Sequence, residues 1–296
     1  MVGTKKQLVA GIVVAVLCVP LISIYVEYKL TRQGVLHRAA AAGNVAAVKM
    51  HLILGLGTNV NVRELVGAAH SRPVRGESAL WKASAAGQLE VVELLLKFGA
   101  DTGDVLSIAA RNGHLDVVRV LVANGAEINP TRGSLPLELA SRYGHKEVVV
   151  WLIEHGAKVN SPNRKKGTPL SASIAFGHSE IVEILIEHGA DPVNDPEALL
   201  IAAAANRADL VKRFLELGAN PDGSSGPFGG APLREAVREG NREVVRVLLE
   251  YGANPHLPRR SDGLTAFQLA EKGGRRDLVQ LFDKSVSVNA KRGGDL

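Results

Sequence analysis

Cysteine and aromatic residues are scarce in this chain. Its 296 residues include a single cysteine, Cys18, and aromatic side chains make up only 4% of the sequence. One cysteine excludes a disulfide within the chain and a metal site built from several thiolates. Apolar residues nevertheless reach 46%, so small and aliphatic side chains must form the core. Such side chains suit short helices that pack closely.

An excess of charge of one sign is also lacking. The 35 Lys and Arg residues are nearly matched by 30 Asp and Glu residues, which leaves a formal net charge of +5. The two signs are mixed along most of the chain, and this balance does not indicate nucleic-acid binding. The sequence contains no His-Glu-x-x-His motif, phosphate-binding glycine loop or nucleophile elbow, so no catalytic residues are expected.

The longest uncharged run of the chain contains an apolar segment over residues 8–26. As a helix, these 19 residues span about 28 Å, close to the roughly 30 Å of a bilayer's hydrocarbon core. Lys5 and Lys6 precede the run, and Tyr25 and Tyr28 stand at its far end, where their rings favour the membrane interface. The pattern predicts a short basic tail over 1–7 and a transmembrane signal-anchor helix over 8–26.

Two other interpretations of this segment stay open, and so does its orientation. A cleaved signal peptide fits less well because no small-x-small site follows the run, and a buried core helix would not be apolar on every face. Lys5 and Lys6 favour a cytoplasmic N-terminus with the rest of the chain outside, in the periplasm of a bacterium. Lys29, Arg32 and Arg38 follow closely, so the cytosolic orientation is also open.

A Gly-Ala pair recurs along the rest of the chain and closes a run of apolar residues each time. The gaps between successive pairs are 26, 31, 33, 29 and 34 residues. A period near 33 predicts stacked repeats in which each unit buries its apolar face against its neighbours. The pairs are Gly99-Ala100, Gly125-Ala126, Gly156-Ala157, Gly189-Ala190, Gly218-Ala219 and Gly252-Ala253.

One unit, over residues 166–191, illustrates the local pattern. Thr168 is placed to cap a first helix and Pro169 suits its first turn. Gly177 and Gly189 each follow a helix where a positive φ is needed. The apolar side of the second helix is predicted to comprise Ile181, Val182, Ile184, Leu185 and Ile186.

The unit resembles an ankyrin repeat, whose Thr-Pro-Leu-His opening is written here as Thr168-Pro169-Leu170-Ser171. About eight such units cover residues 34–284, the first and last divergent, and a disordered tail is expected over 285–296. The resemblance implies an all-α solenoid of stacked helix-turn-helix units with short β-fingers, preceded by one transmembrane helix. In the sixth unit Asn206 replaces the inter-helix glycine, because Asn tolerates a left-handed conformation. The short gap before Gly125 leaves no room for a finger ahead of the third unit.

Nine histidines raise the question of a metal site. They recur about once per repeat instead of converging, and the resemblance makes His114, His145, His155, His178 and His188 structural turn residues. No cofactor or metal is therefore expected. Trp151 falls in the apolar register of a second helix and is predicted to lie in the core.

The resemblance also implies that a partner protein binds to the finger tips and to the ends of the inner helices on the concave face. Among the inner-helix ends, only those of the middle units carry large aromatic residues, which stand together with arginine, and nearby fingers are basic. Arg and Tyr dominate the energetics of many interfaces. The predicted partner-binding residues are Arg111, Arg132, Arg142, Tyr143, Arg164, Lys165, Lys166 and Phe176. The alternative is that these fingers are simply solvated and keep the array soluble.

The sequence thus predicts a non-enzymatic interaction module that is tethered to a membrane and binds a protein with an acidic patch. One alternative is a structural adaptor of membrane proteins that faces the cytosol. Another is binding of anionic lipid or nucleic acid by the basic fingers. Interleaved acids argue against nucleic acid, namely Glu138, Glu147, Glu154 and Glu183.

Overall fold

The computed structural model describes residues 34–54, 59–61, 77–131, 133–162, 167–195, 197–223, 231–258 and 263–282. These residues form sixteen helices and no strand, as expected for an all-α ankyrin-repeat solenoid. The predicted segments 1–7, 8–26 and 285–296 lie outside the described residues. Within the described ranges, no helix combines the length and the apolar character that crossing a membrane requires.

The helices come in pairs. The first pair is α1, over residues 34–41, and α2, over Val45–Ile53. The next are α3 (Ala79–Ala85), α4 (Leu89–Lys97), α5 (Val105–Arg111), α6 (Leu115–Ala123), α7 (Pro136–Tyr143), α8 (Lys146–Glu154), α9 (Pro169–Ala175) and α10 (Ser179–Glu187). Then follow α11 (Ala198–Ala204), α12 (Ala208–Glu216), α13 (Pro232–Glu239), α14 (Arg242–Glu250) and α15 (Ala266–Lys272), and α16 over residues 276–282.

The chain divides into two compact units, Met1–Glu127 and Ile128–Leu296. In the first unit α3 packs on α5, α2 packs on α4, and α4 packs on α6. In the second unit α7, α9, α11, α13 and α15 pack one on the next, while α8 packs on α10 and α12 on α14. Each unit therefore has two layers, one of first helices and one of second helices.

The second helices repeat the same core positions. In the six helices α4, α6, α8, α10, α12 and α14 the third, fourth and seventh residues are almost wholly buried, and this spacing places them on one side of a helix. They are Val91, Val92 and Leu95 in α4; Val117, Val118 and Leu121 in α6; Val148, Val149 and Leu152 in α8; Ile181, Val182 and Leu185 in α10; Leu210, Val211 and Phe214 in α12; Val244, Val245 and Leu248 in α14. The predicted stripe of α10 was too wide, because Ile184 and Ile186 are only half-buried.

The predicted helix signals of the unit over 166–191 are confirmed. Thr168 caps α9 by accepting a hydrogen bond from the Ser171 amide, and Pro169 is in the first turn. Gly177 and Gly189 have φ of +77° and +86°. Asn206 has φ of +58°, so asparagine does take the left-handed place of glycine in the sixth unit.

The predicted β-fingers are not found, since the described residues form no strand. Asparagine side chains join successive repeats instead. The Asn129 side chain donates to the Gly156 carbonyl at 2.8 Å and accepts from the Lys158 amide at 2.9 Å. Asn160 makes the same pair of bonds with Gly189 and Asp191. These bonds satisfy the backbone groups that strand pairing would otherwise serve.

The histidines whose contacts are resolved act as structural turn residues, as predicted. The His178 Nε2 lies 3.0 Å from the Arg142 carbonyl oxygen, and the His114 Nε2 lies 3.1 Å from that of Ala85. The prediction for Trp151 was wrong, because this side chain is only half-buried. It occupies the sixth position of α8, next to the buried seventh position, and its ring stacks on His155 at 3.8 Å between centroids.

Candidate interaction surface

The structure places the predicted binding residues in three groups. Arg111 is the last residue of α5 in the first unit and is exposed. In the second unit Arg142 and Tyr143 end α7, and Phe176 caps α9. The structure brings these last three side chains together. The basic finger residues Arg132, Arg164, Lys165 and Lys166 lie outside the described residues.

Two helix ends create this arrangement. Helix α7 stops at Gly144, which has φ of +82°, and α9 stops before Gly177 in the same way. The His178 ring packs directly against the bare Cα of Gly144: a Cβ there would come within 2.6 Å of the ring. Because α7 packs on α9, the side chains just before the two glycines become neighbours.

Tyr143 and Phe176 form an exposed aromatic pair. Their ring centroids are 6.5 Å apart with an interplanar angle of 29°, within the usual range for offset aromatic contacts. Tyr143 is 43% exposed and Phe176 is 56% exposed. Two large rings that face water side by side need a reason, and a binding surface is the usual one.

Arg142 completes the group, which we term the arginine–aromatic cluster (Arg142, Tyr143 and Phe176). Its guanidinium carbon lies 5.7 Å from the centre of the Phe176 ring, in cation–π geometry. Its Nη2 is 2.5 Å from the carboxylate of Glu138, which is buried. The Nε of Arg142 is buried and meets no hydrogen-bond acceptor among the described residues. The guanidinium is thus held in place by one carboxylate and one ring.

A shallow cavity of about 210 Å³ adjoins the cluster. Helices α7, α9 and α11 supply its walls, and its lining comprises Arg142, Gly167, Ser171, Ala172, Ala175, Phe176, Glu197 and Ile201. Partial burial raises the pKa of Glu197, and the nearby Asp195 carboxylate raises it further. The floor is therefore largely apolar, with a cation at one side and a carboxyl at the other.

Behind this cavity lies a buried acid. Asp195 is buried, and desolvation raises the pKa of its carboxyl, while a hydrogen bond from the Thr168 hydroxyl acts in the opposite direction. The same Thr168 oxygen caps α9. One threonine therefore ties the start of α9 to the segment that leads into α11.

The chemistry of this surface is that of binding. An aromatic platform beside an arginine can cover apolar atoms and pair with a carboxylate. The cluster itself contains neither a nucleophile nor a general base. Within the described ranges, no three His, Cys, Asp or Glu side chains gather closely enough to hold a metal ion.

Sequence reasoning missed two contributors to this surface. Glu138 was counted as a surface acid, but it is buried under Arg142; its position four residues earlier on α7 is the signal that could have revealed the pair. Glu197 and Ile201 belong to the repeat that follows α9 and α10, and no sequence motif identifies them. Their role follows only from the packing of α9 on α11.

Comparison with known proteins agrees with this fold. The family model for ankyrin repeats matches three times, over residues 36–132, 106–196 and 199–292. An ankyrin repeat protein of Rickettsia felis is 37% identical over 86 residues, which cover 27% of this chain and 48% of that protein. The Notch-regulated ankyrin repeat-containing protein B of Danio rerio is 41% identical over 98 residues, which cover 31% of this chain and 82% of that protein. The matched region thus spans about half of the first relative and most of the second. The chain belongs to the ankyrin repeat family.

Proposed function

We propose that this chain is a membrane-tethered interaction module that binds an acidic patch of a partner protein at the arginine–aromatic cluster. Ankyrin repeats are generally protein-interaction modules and typically have no enzymatic activity. The observation that carries the proposal is the exposed Tyr143–Phe176 pair beside a fixed Arg142. Arginine and tyrosine are the residue types that most often dominate binding energy.

The electrostatics of the cluster favour an acidic partner. The Arg142 side chain is 34% exposed, so a carboxylate of the partner can reach the accessible part of its guanidinium, and charge-assisted bonds of this kind are among the stronger hydrogen bonds. Glu138 and Phe176 already hold the guanidinium, so little side-chain entropy is lost when a partner docks. The basic run Arg164-Lys165-Lys166, which precedes α9 in the sequence, adds positive charge that would speed the encounter.

The first test identifies the partner and then measures its affinity. Photo-crosslinking from p-benzoylphenylalanine in place of Tyr143 would capture the partner in intact cells. With the purified partner, the double change Arg142→Ala and Tyr143→Ala should weaken binding by about 100-fold or more, which corresponds to about 2.7 kcal/mol. Titration calorimetry measures the change.

A matched pair of control substitutions lies in another repeat of the same compact unit, Ile128–Leu296. Lys212 and Leu217 are an exposed cation and an exposed apolar residue associated with α12, and changing both to Ala should leave the affinity within about twofold, because exposed residues outside an interface contribute little. Binding that survives the Arg142/Tyr143 change, or that falls equally in the control, removes the proposal.

The proposed tether is the uncharged segment over 8–26. A tether confines the repeats near the bilayer and raises the effective concentration at a membrane-associated partner. The favoured orientation places the repeats outside the cytoplasm, in the periplasm of a bacterial cell, because Lys5 and Lys6 precede the segment. The adaptor function would instead need the repeats in the cytosol.

Thiol labelling tests both the tether and the orientation. The proposed anchor would hide Cys18 in the bilayer, so Ser224→Cys supplies a second thiol outside the uncharged segment. A membrane-impermeant maleimide on intact cells should give labelled protein in the membrane fraction. Labelled protein in the soluble fraction would show cleavage and end the anchor proposal. Labelling only after lysis would place the repeats in the cytosol and support the adaptor.

A further inference from the structure

The outer side of α2 is apolar and exposed. Met50, Ile53 and Leu54 are 59%, 60% and 59% exposed. Four residues share one side of the helix because they are spaced by three, four or seven positions, or are adjacent. They are Ala46, Lys49, Met50 and Ile53. The opposite side carries the wholly buried Val48, and α2 packs on α4. An apolar stripe of this kind lacks a partner within the described part of the first unit.

Comparison between repeats shows that two positions on this side, the second and the ninth, set α2 apart. The second position of six later second helices is always acidic: Glu90, Asp116, Glu147, Glu180, Asp209 and Glu243. The ninth position carries Lys97, Ala123, Glu154, Glu187, Glu216 and Glu250. In α2 these two positions are Ala46 and Ile53, and α2 contains no acid at all.

This substitution pattern has a physical cost. An acid in the first turn stabilises a helix through its dipole, and charged residues keep an outer face soluble. Helix α2 forgoes both and retains a single exposed cation, Lys49. Exposed apolar residues in a group, beside a lysine and without any acid, can enter the headgroup region of a membrane, where the lysine is attracted to anionic lipids.

The position of α2 in the chain supports the same occupant. Seven residues, 27–33, separate the uncharged segment from α1, and fully extended they reach at most about 25 Å. A tether over 8–26 would therefore keep the first repeat close to the bilayer surface. We propose that the Met50–Ile53–Leu54 face of α2 lies in the headgroup region of the membrane. This inference rests on the proposed tether and goes beyond it, because it assigns a second, peripheral membrane contact to the repeats themselves.

Lipid quenching tests the contact. Full-length protein with Cys18→Ser is reconstituted into phosphatidylcholine–phosphatidylserine vesicles, and a fluorophore is attached at Ile53→Cys or, as a matched control, at Glu187→Cys. Both positions are the exposed ninth residue of a second helix. Nitroxide-labelled headgroups should quench the probe at position 53 at least about threefold more strongly than the probe at position 187, because interfacial residues lie at headgroup depth.

The outcomes separate the contact from the tether. If the protein floats with the vesicles and the probes at positions 53 and 187 are quenched equally, the proposed membrane contact of α2 is wrong. The proposed tether is not affected by that result. Protein that does not float with the vesicles overturns both. Efficient disulfide-linked dimer formation through Ile53→Cys would assign the face to a second copy of the chain and also overturn the membrane contact. Circular dichroism of the Ile53→Cys protein verifies that the exposed substitution leaves the helices intact.

Discussion

Replacing Phe214 by alanine should lower the free energy of unfolding by about 3–5 kcal/mol. Phe214 is fully buried, with 0% of its surface exposed, and it occupies the seventh position of α12. The equivalent residue is leucine in α4, α6, α8, α10 and α14. Removing the ring leaves a cavity that its neighbours can fill only in part, and each lost contact adds to the cost. Urea unfolding followed by circular dichroism measures the change.

Two further variants distinguish the effect of a buried cavity on the free energy of unfolding from the effect of losing any aromatic ring. Phe214→Leu introduces the side chain that the other repeats use at this position, and should cost only about 1 kcal/mol. Phe176→Ala removes a ring that is 56% exposed and should cost less than about 1 kcal/mol. If Phe214→Ala destabilised the protein no more than Phe176→Ala, the seventh position would not be the core site that the packing indicates.

Much of this fold could be predicted because each repeat needs similar helix caps and left-handed turns, and similar residues therefore recur in the sequence. The left-handed turns at Gly177 and Gly189 and the cap at Thr168 depend on a few adjacent residues, so local chemistry specifies them. Asn206 was predictable for the same reason. The period of the Gly-Ala pairs then fixes which helices are neighbours.

The side-chain arrangement could not be predicted so fully, because it depends on which neighbour covers which position. Ile184 and Trp151 are as apolar as the true core residues, yet they lie one position away from the buried stripe. The Asn129 and Asn160 bonds that replace the expected β-fingers join residues about thirty positions apart. Arg142, Tyr143 and Phe176 were predicted from residue type, and the structure brings them together, whereas Glu138 and Glu197 entered the site only through packing.

A second large effect is expected at Thr168. Thr168→Val removes the oxygen that caps α9 and the hydroxyl that donates to the buried Asp195 carboxylate. The lost cap costs about 0.5–2 kcal/mol, and the lost bond to a charged group costs about 1.5–3 kcal/mol. Near neutral pH the variant should therefore be less stable by about 2–5 kcal/mol. Thr168→Ser retains the hydroxyl and should recover most of this loss.

Thr265 provides a matched control, and pH reveals the contribution of the acid. Thr265 forms the same type of capping box with Gln268, so Thr265→Val should cost only the cap, about 1 kcal/mol.

Burial raises the pKa of Asp195 above its ordinary value of 3.8, so the folded chain binds this proton more readily than the unfolded chain does. Ionisation of Asp195 therefore costs stability at neutral pH, and acidification towards the unfolded-state pKa removes that cost. Because Thr168→Val raises the pKa of Asp195 further, its deficit relative to the parent chain should narrow as the pH falls, whereas the deficit of Thr265→Val should stay constant. Parallel pH profiles of the two deficits would show that the Thr168–Asp195 hydrogen bond does not favour the ionised form of Asp195.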